Sequence, residues 1–193
     1  CRNELISDAV CRHLSDTRTP QGVTALVKKQ ETPLEEILAR DENPCLFLLE
    51  NLQDPGNMGT ILRTSEGAGV SGIIMNRESV DPYNPKVIRS TMGAIFRMPF
   101  VIVDDFEDVL CRLKEAGVRT FAAHLDGEDF YRQDYRGGCA FFIGNEGNGL
   151  SEELAARADG RIRIPMKGQV ESLNAAVAAT VLMYETLRQR EWV

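Results

Sequence analysis

The sequence predicts an α/β domain with a mostly parallel sheet and helices on both faces. Three observations predict it. Short, wholly apolar runs of strand length recur along the chain, as strands buried on both faces require. Segments with apolar residues at helical spacing lie between them. Polar or glycine-rich loops stand where a run hands over to a helix, which is the alternation of a parallel sheet.

The elements follow in order. Glu4–Leu14 reads as a helix, and Thr17 to Gly22 as a turn, because Pro20 fixes φ and Gly22 releases it. Val23–Val27 alternates weakly, like a short strand, and Pro33–Arg40 carries Leu34, Ile37 and Leu38 at helical spacing. Residues 1–43 are read as a linker and the edge of a further domain, and 44–193 as the main domain. There, Cys45–Leu49 and Gly72–Met75 are apolar runs on either side of a helix from Asn57 to Ala68. Pro85–Ser90 is a short helix and Pro99–Val103 a strand; Asp104 or Asp105 would cap a helix running to Ala116, broken by Gly117. Thr120–Ala123, Ala140–Ile143 and Arg161–Ile164 complete the strands. Ser151 would cap a helix to Ala158, and Ser172–Gln189 is a long last helix.

Composition bounds the function. The chain has 193 residues, 43% hydrophobic and 26% charged, enough for a core that needs no disulfide or metal staple. Its cysteines (Cys1, Cys11, Cys45, Cys111, Cys139) form no CxxC pair, and neither His13 nor His124 lies near one at ligand spacing. No metal site is expected, and a reducing cytoplasm suits the thiols. No run approaches the roughly 20 apolar residues that cross a bilayer; the longest, Ala175–Tyr184, is Ala-rich and interrupted by Thr180, so no membrane partner is expected. No signal-peptide pattern is visible, and a first residue Cys1 is read as the start of a fragment. The net charge of −7 argues against a chain-wide grip on nucleic acid, though a local patch would suffice.

Three stretches carry chemistry. Asn51 to Thr64 follows a strand and opens a helix on which Gly59 and Arg63, four apart, share a face. A helical side chain leans toward the N-terminus. Arg63 would then lie over the gap left by Gly59, with Asn57 and Thr60 nearby, grouping donors for a phosphate or ribose oxygen. The plainer alternative is an Asn57 cap and a solvated Arg63.

Phe141 to Ser151 places Gly144, Gly147 and Gly149 after a strand, so that backbone can approach a ligand. The loop lacks the Gly-Lys-Ser/Thr of a phosphate loop and runs GxxGxG, not GxGxxG. A plain turn is the alternative, but it has no need of Glu146. Ile164 to Asn174 takes a strand end through Gly168 to Ser172 and Asn174 at the mouth of the last helix, where Ser172 alone would be read as the N-cap. Beyond it Leu173, Val177, Thr180, Tyr184 and Leu187 form a stripe. It reads as core, or as a face for a second copy, because the alanines at 175, 176, 178 and 179 keep the helix slim.

Together the stretches resemble the motifs of the SpoU/TrmH family of RNA 2′-O-ribose methyltransferases, from about Leu46 to the C-terminus. Asn57-x-Gly59-x-x-x-Arg63-Thr64 is similar to its first motif, Gly144-Asn145-Glu146-Gly147-x-Gly149 to its second, and Ile164-Pro165-Met166 through Ser172-Leu173-Asn174 to its third. Ser15 to Gly22 resembles the linker of members with an extra N-terminal RNA-binding domain. One departure is Ala-Ala-Val-Ala after Asn174, where many members have Val and Ser.

The resemblance implies a SPOUT-type domain with a C-terminal trefoil knot, a topology that general rules would not suggest. It implies a homodimer, and an S-adenosylmethionine site at Gly144, Asn145, Ile164, Met166, Ser172 and Leu173. The catalytic set it implies is Arg63, Asn57, Glu146, Ser172 and Asn174. The family credits Arg63's counterpart with taking the hydroxyl proton. A guanidinium with a pKa above about 12 is a poor base, so Arg63 is read instead as binding phosphate or stabilising the alkoxide, with Glu146 orienting it, from the same chain or across the dimer. The expected substrate is structured RNA, ribosomal in preference to transfer RNA. Competing readings are a base-methylating relative, a non-catalytic RNA-binding or ribosome-assembly protein, and a nucleotide-binding module.

Overall fold

A computed structural model of the chain describes residues 3–15, 17, 19–29 and 32–191; Cys1, Asp16 and Arg18 of the sequence reading lie outside them. The chain divides into two compact units, residues 1–30 and 31–193. In the first, α1 spans Asp8–Leu14, with Ser7 accepting the Val10 N–H as its cap. Helix thus begins four residues later than the spacing suggested, where the cap allows it. Residues 23–29 hold no strand. Val23 and Leu26 are exposed, so the weak alternation there has no apolar face to bury.

The second unit is the α/β domain. Its strands are β1 (Cys45–Leu49), β2 (Gly72–Asn76), β3 (Phe100–Val103), β4 (Arg119–Asp129), β5 (Cys139–Ile143) and β6 (Gly160–Arg163). They form one sheet in the order β3-β2-β1-β5-β4-β6. Every pairing is parallel. Two clusters cover its faces, and alternate residues of β1 feed them: Phe47 and Leu49 point to one, Leu46 and Leu48 to the other. This is why β1, β2 and β5 read as continuous apolar runs, whereas the edge strand β6 carries Arg161 and Arg163.

On the first face lie α3 (Pro55–Gly67), α4 (Pro85–Ser90) and α7 (Ala175–Glu191), contributing Met58, Ile61, Val87, Ala179 and Leu182 to the core. On the second lie α2 (Leu34–Leu38), α5 (Glu107–Glu115) and α6 (Glu152–Ala155). Leu34 and Ile37 of α2 are buried beside Leu46 and Leu48, so α2 packs on this sheet although it precedes Pro44. Phe141 stacks on Phe47 at 5.0 Å and Phe121 at 5.7 Å, with the Tyr135 ring edge-on, filling the centre of the first face.

The helix starts were read less well than the strands. Asp54, not Asn57, caps α3 by accepting the Asn57 N–H at 2.8 Å. At α5 the cap position is Phe106; Asp105 accepts the Glu107 N–H and Asp104 pairs with Arg77. Helix α6 stops at Ala155, short of Ala158, and α7 starts at Ala175. Asn174, not Ser172, caps α7, its Oδ1 accepting from the N–H groups of Ala176 and Val177.

Strand β4 runs six residues past Ala123, to Asp129. Its pairing with β6 jumps from Ala123 to Glu128, both opposite Ile162, so residues 124–127 bulge outward. Gly127 makes this possible: a Cβ there would overlap the Ile162 backbone.

Candidate active site

Parallel strands deliver their C-terminal ends to one edge of the sheet, where α/β domains bind ligands. Here the loops after β1 and β5, from central neighbouring strands, are stitched together. Glu146 Oε2 accepts the Gln53 N–H at 3.0 Å, and its Oε1 accepts the Asp54 N–H at 2.9 Å. Asn145 Nδ2 donates to Asn51 O at 2.8 Å, while its Oδ1 accepts the N–H groups of Gly147 and Asn148. Asn51 takes a left-handed φ of 53°, which asparagine tolerates, and its N–H donates to Asn76 Oδ1.

A polar chain then joins all three stretches. Asn174 Nδ2 donates to Asn57 Oδ1 at 2.9 Å, and Asn57 Nδ2 donates to Glu146 Oε1 at 3.0 Å. Both amides are oriented by this chain, since each uses its oxygen and its nitrogen in opposite roles. Partial burial pushes the Glu146 carboxyl up, but hydrogen bonds from Asn57 and the Gln53 and Asp54 backbone outweigh it. The group is held below its ordinary value, so Glu146 is an anion at neutral pH and an acceptor only.

Beside this chain lies a cavity of about 380 Å³ between the ends of β4, β5 and β6. Its apolar wall includes Ile143, Leu150, Ile162, Ile164, Leu173 and Leu182, and its polar rim Asn145, Glu146, Glu171 and Ser172. Ala175 and Ala178 face it, so the slim side of α7 leaves room for a ligand, while Ala176 and Ala179 are buried against the sheet. Gly144 lines it, but its lack of a Cβ serves the loop itself: a Cβ would overlap the backbone of Gly149 and Leu150.

The predicted residues divide accordingly. Gly144, Asn145, Glu146, Ile164, Ser172 and Leu173 line the cavity, whereas Met166 is half-buried outside its lining. Asn57 and Asn174 stand in the adjoining polar chain. Arg63 does not lie over a gap at Gly59. That gap is filled by Ser90 of α4, whose hydroxyl a Cβ at residue 59 would overlap. Arg63 is exposed on α3 and makes no hydrogen bond or ion pair among the described residues, so Glu146 of the same chain does not orient it.

The stripe on α7 also differs from the core reading. Val177 and Tyr184 are each 48% exposed, and the buried face is instead Ala176, Ala179, Leu182, Met183, Thr186 and Gln189.

Sequence reasoning missed the third wall. Ala123, His124 and Leu125 line the cavity from the bulge of β4. His124 Nε2 lies 2.9 Å from Glu152 Oε1 at the start of α6, and its Nδ1 accepts the Asp126 N–H. The available signal was the parallel arrangement, which brings the end of β4 beside those of β5 and β6.

A cavity of this size falls within the about 300–1,000 Å³ of small-molecule sites. Apolar walls, backbone donors and carboxylates suit a ligand that is part heteroaromatic and part cationic. No group of side chains able to hold a metal is present among the described residues. Fold and cavity together define a cofactor-binding α/β enzyme domain.

The particular family follows from comparison. The model of the SpoU rRNA Methylase family matches residues 44–184, and the chain belongs to that family. It is 32% identical over 181 residues to the 23S rRNA (guanosine(2553)-2′-O)-methyltransferase RlmP of Bacillus subtilis (strain 168), covering 93% of this chain and 70% of that protein. It is 35% identical over 177 residues to the 23S rRNA (guanosine-2′-O-)-methyltransferase RlmB of Vibrio cholerae, covering 88% and 71%. Among solved structures, an AdoMet-bound rRNA methyltransferase from Sinorhizobium meliloti superposes with a TM-score of 0.86 at 34% identity, over 94% of this chain and 70% of that one.

Proposed function

We propose that the chain methylates a ribose 2′-hydroxyl of ribosomal RNA with S-adenosylmethionine as donor. The observation that carries this reading is the chain Asn174–Asn57–Glu146, which joins three separate motifs at the mouth of an apolar cavity. Such a chain fixes polar groups where a nucleoside must meet a cofactor.

Gly144, Ile164, Ser172 and Leu173 would hold the cofactor, with Leu150 and Leu182 as apolar walls. When bound, S-adenosylmethionine supplies a methyl group already activated by a positive sulfonium. The protein's own part is positioning, which can supply much of a displacement's acceleration. Asn57 and Asn174 present fixed donors and acceptors to the ribose. Glu146 holds Asn57 and the loop after β1 in register. Arg63, a permanent and unpaired cation, stabilises the alkoxide or its phosphate as charge develops.

The exposed Val177 and Tyr184 of α7 support a second copy of the chain as partner. The trefoil knot, a cytoplasmic location, and a leading segment ahead of the catalytic domain belong to the same proposal, with α2 on the domain's side of the division because Leu34 and Ile37 join its core. Among the described residues no helix is long and apolar enough to cross a membrane.

The test is calorimetric titration with S-adenosylmethionine, followed by transfer of labelled methyl to 23S rRNA and mapping of the product. Micromolar binding with ribose methylation is the expected result. A folded protein that binds RNA but not S-adenosylmethionine would leave a non-catalytic RNA-binding role in its place.

A further inference from the structure

The chain's negative charge hides a local exception. Residues 82–103 contain no Asp or Glu, yet carry Lys86, Arg89 and Arg97; residues 55–65, on α3, contain no acid and carry Arg63. Most other arginines, and Arg97 within the stretch, are spoken for, although Arg12 and Arg40 have no side-chain partner among the described residues. The arginines at 77, 97, 112, 132, 136, 157, 161, 163 and 188 each face a carboxylate. Lys86 and Arg89 of α4 are exposed and, like Arg63, have no hydrogen-bonding or charged side-chain partner among the described residues. They are three apart and so share one side of α4.

These cations belong to one rigid surface. Gly59 lets α4 approach α3 until Ser90 fills the notch, and Ser90 Oγ lies 2.9 Å from Val87 O and 3.4 Å from Pro55 O at the start of α3. That start carries Asn57, so α4 flanks the candidate site. On its other side α3 packs on α7, where Ser65 Oγ meets Met183 Sδ at 3.7 Å. The outer layer of this face therefore changes character across α3: apolar at Val177 and Tyr184, basic at Lys86 and Arg89.

We propose that the outer face of α4, through Lys86 and Arg89, binds the phosphodiester backbone of the RNA whose ribose is presented at Asn57. This rests on the methyltransferase reading and adds to it a positioning surface outside the cofactor cavity. Unpaired cations on a fixed scaffold neutralise phosphates and release counterions without first breaking an ion pair. Such contacts set the register of the RNA and carry no sequence preference.

The experiment is filter binding of 23S rRNA across a salt series, with S-adenosylmethionine calorimetry and sedimentation, on wild type, Lys86→Ala/Arg89→Ala and a control pair of equal charge, Arg40→Ala/Lys114→Ala. The α4 pair should lower the slope of log K against log salt by roughly one per cation. It should raise KM for RNA, with cofactor affinity and oligomeric state unchanged and the control near wild type. An unchanged slope, an equal loss in the control, or a wild type that binds no RNA overturns the proposal. A dimer broken by the α4 pair also overturns it, making the face a protein interface. If wild type binds RNA with the predicted slopes but transfers no methyl, the surface stands and the enzymatic reading falls.

Discussion

Two clefts of similar volume open along the C-terminal edge of the sheet, about 380 Å³ over β5, β4 and β6 and about 410 Å³ over β1, β2 and β3. Size does not distinguish them; lining does. The first is walled by aliphatic side chains and a glycine loop. The second is lined by Glu50, Asp104, Asp105, Glu107 and Glu153, with Arg157 paired to Glu107 and Glu50 spent on the N–H and hydroxyl of Ser151. An apolar wall can take up a cofactor's ring system and release water. A rim of carboxylates holds water and repels phosphate. The same sheet edge thus offers one half to a ligand and uses the other to fasten its own loops.

The largest effects should come from the polar chain beside the first cleft. Asn57→Ala removes the link between Asn174 and Glu146, and should cut kcat by about 10²–10³, the range for losing one preorganised donor. Steady-state kinetics on 23S rRNA checks it, and a rate within threefold of wild type would remove the chain from the mechanism. Arg63→Ala should fall as far, with Arg63→Lys between it and wild type because the charge survives without the fork. The pH profile of the lysine variant should keep the wild-type shape; a new acid limb would return Arg63 to the role of base.

Gly59→Ala tests the α3–α4 notch on which the geometry of the first half depends. Its methyl must displace Ser90, at a cost of about 1–3 kcal/mol. That lowers Tm by a few degrees per kcal/mol in a chain of this size. Thermal melting reads it directly, and an unchanged Tm would mean that the helices are not locked.

A smaller effect is expected from acid. The Glu146 carboxyl sits below its ordinary 4.5. Its tie between the loops is therefore complete above about pH 4.5 and is lost as pH falls through the lower folded value. Hydrogen exchange of residues 144–151 should accelerate in that window in wild type and not in Glu146→Gln. Equal profiles would show that the loop is held by Asn145 and Gly149 alone.

These contrasts were unevenly legible in the sequence. The strands β1, β2 and β5 were clear because burial on both faces turns each into a nearly unbroken apolar run, whereas the edge strand β6, Gly160–Arg163, alternates with arginines. The helix caps were not: Ser172 and Asn174 are equally good capping types two residues apart, and only the direction of α7 chooses between them. The end of β4 was hidden because Leu125-Asp126-Gly127-Glu128 reads as a turn, and its pairing depends on Ile162, far along the chain. The site residues were legible by type through their motifs, but their wiring was not, since the links Asn57–Glu146 and Asn174–Asn57 span 89 and 117 residues. Arg63 was placed by helical spacing alone, which sees the gap at Gly59 but not the helix that fills it.

The smallest effect belongs to the second cleft, where the comparison is easiest to break. Asp105→Asn with Glu153→Gln removes two charges from its rim without touching the glycine loop. Exposed changes of this kind shift stability within about 0.5 kcal/mol. Cofactor affinity should stay within twofold, because no polar contact runs from either side chain to the first cleft. RNA binding should tighten slightly at low salt and not at high salt, since carboxylates this exposed act through a screened field. A clear loss of S-adenosylmethionine binding would show that the acidic half also takes part in holding the ligand, and the division of labour along the sheet edge would have to be abandoned.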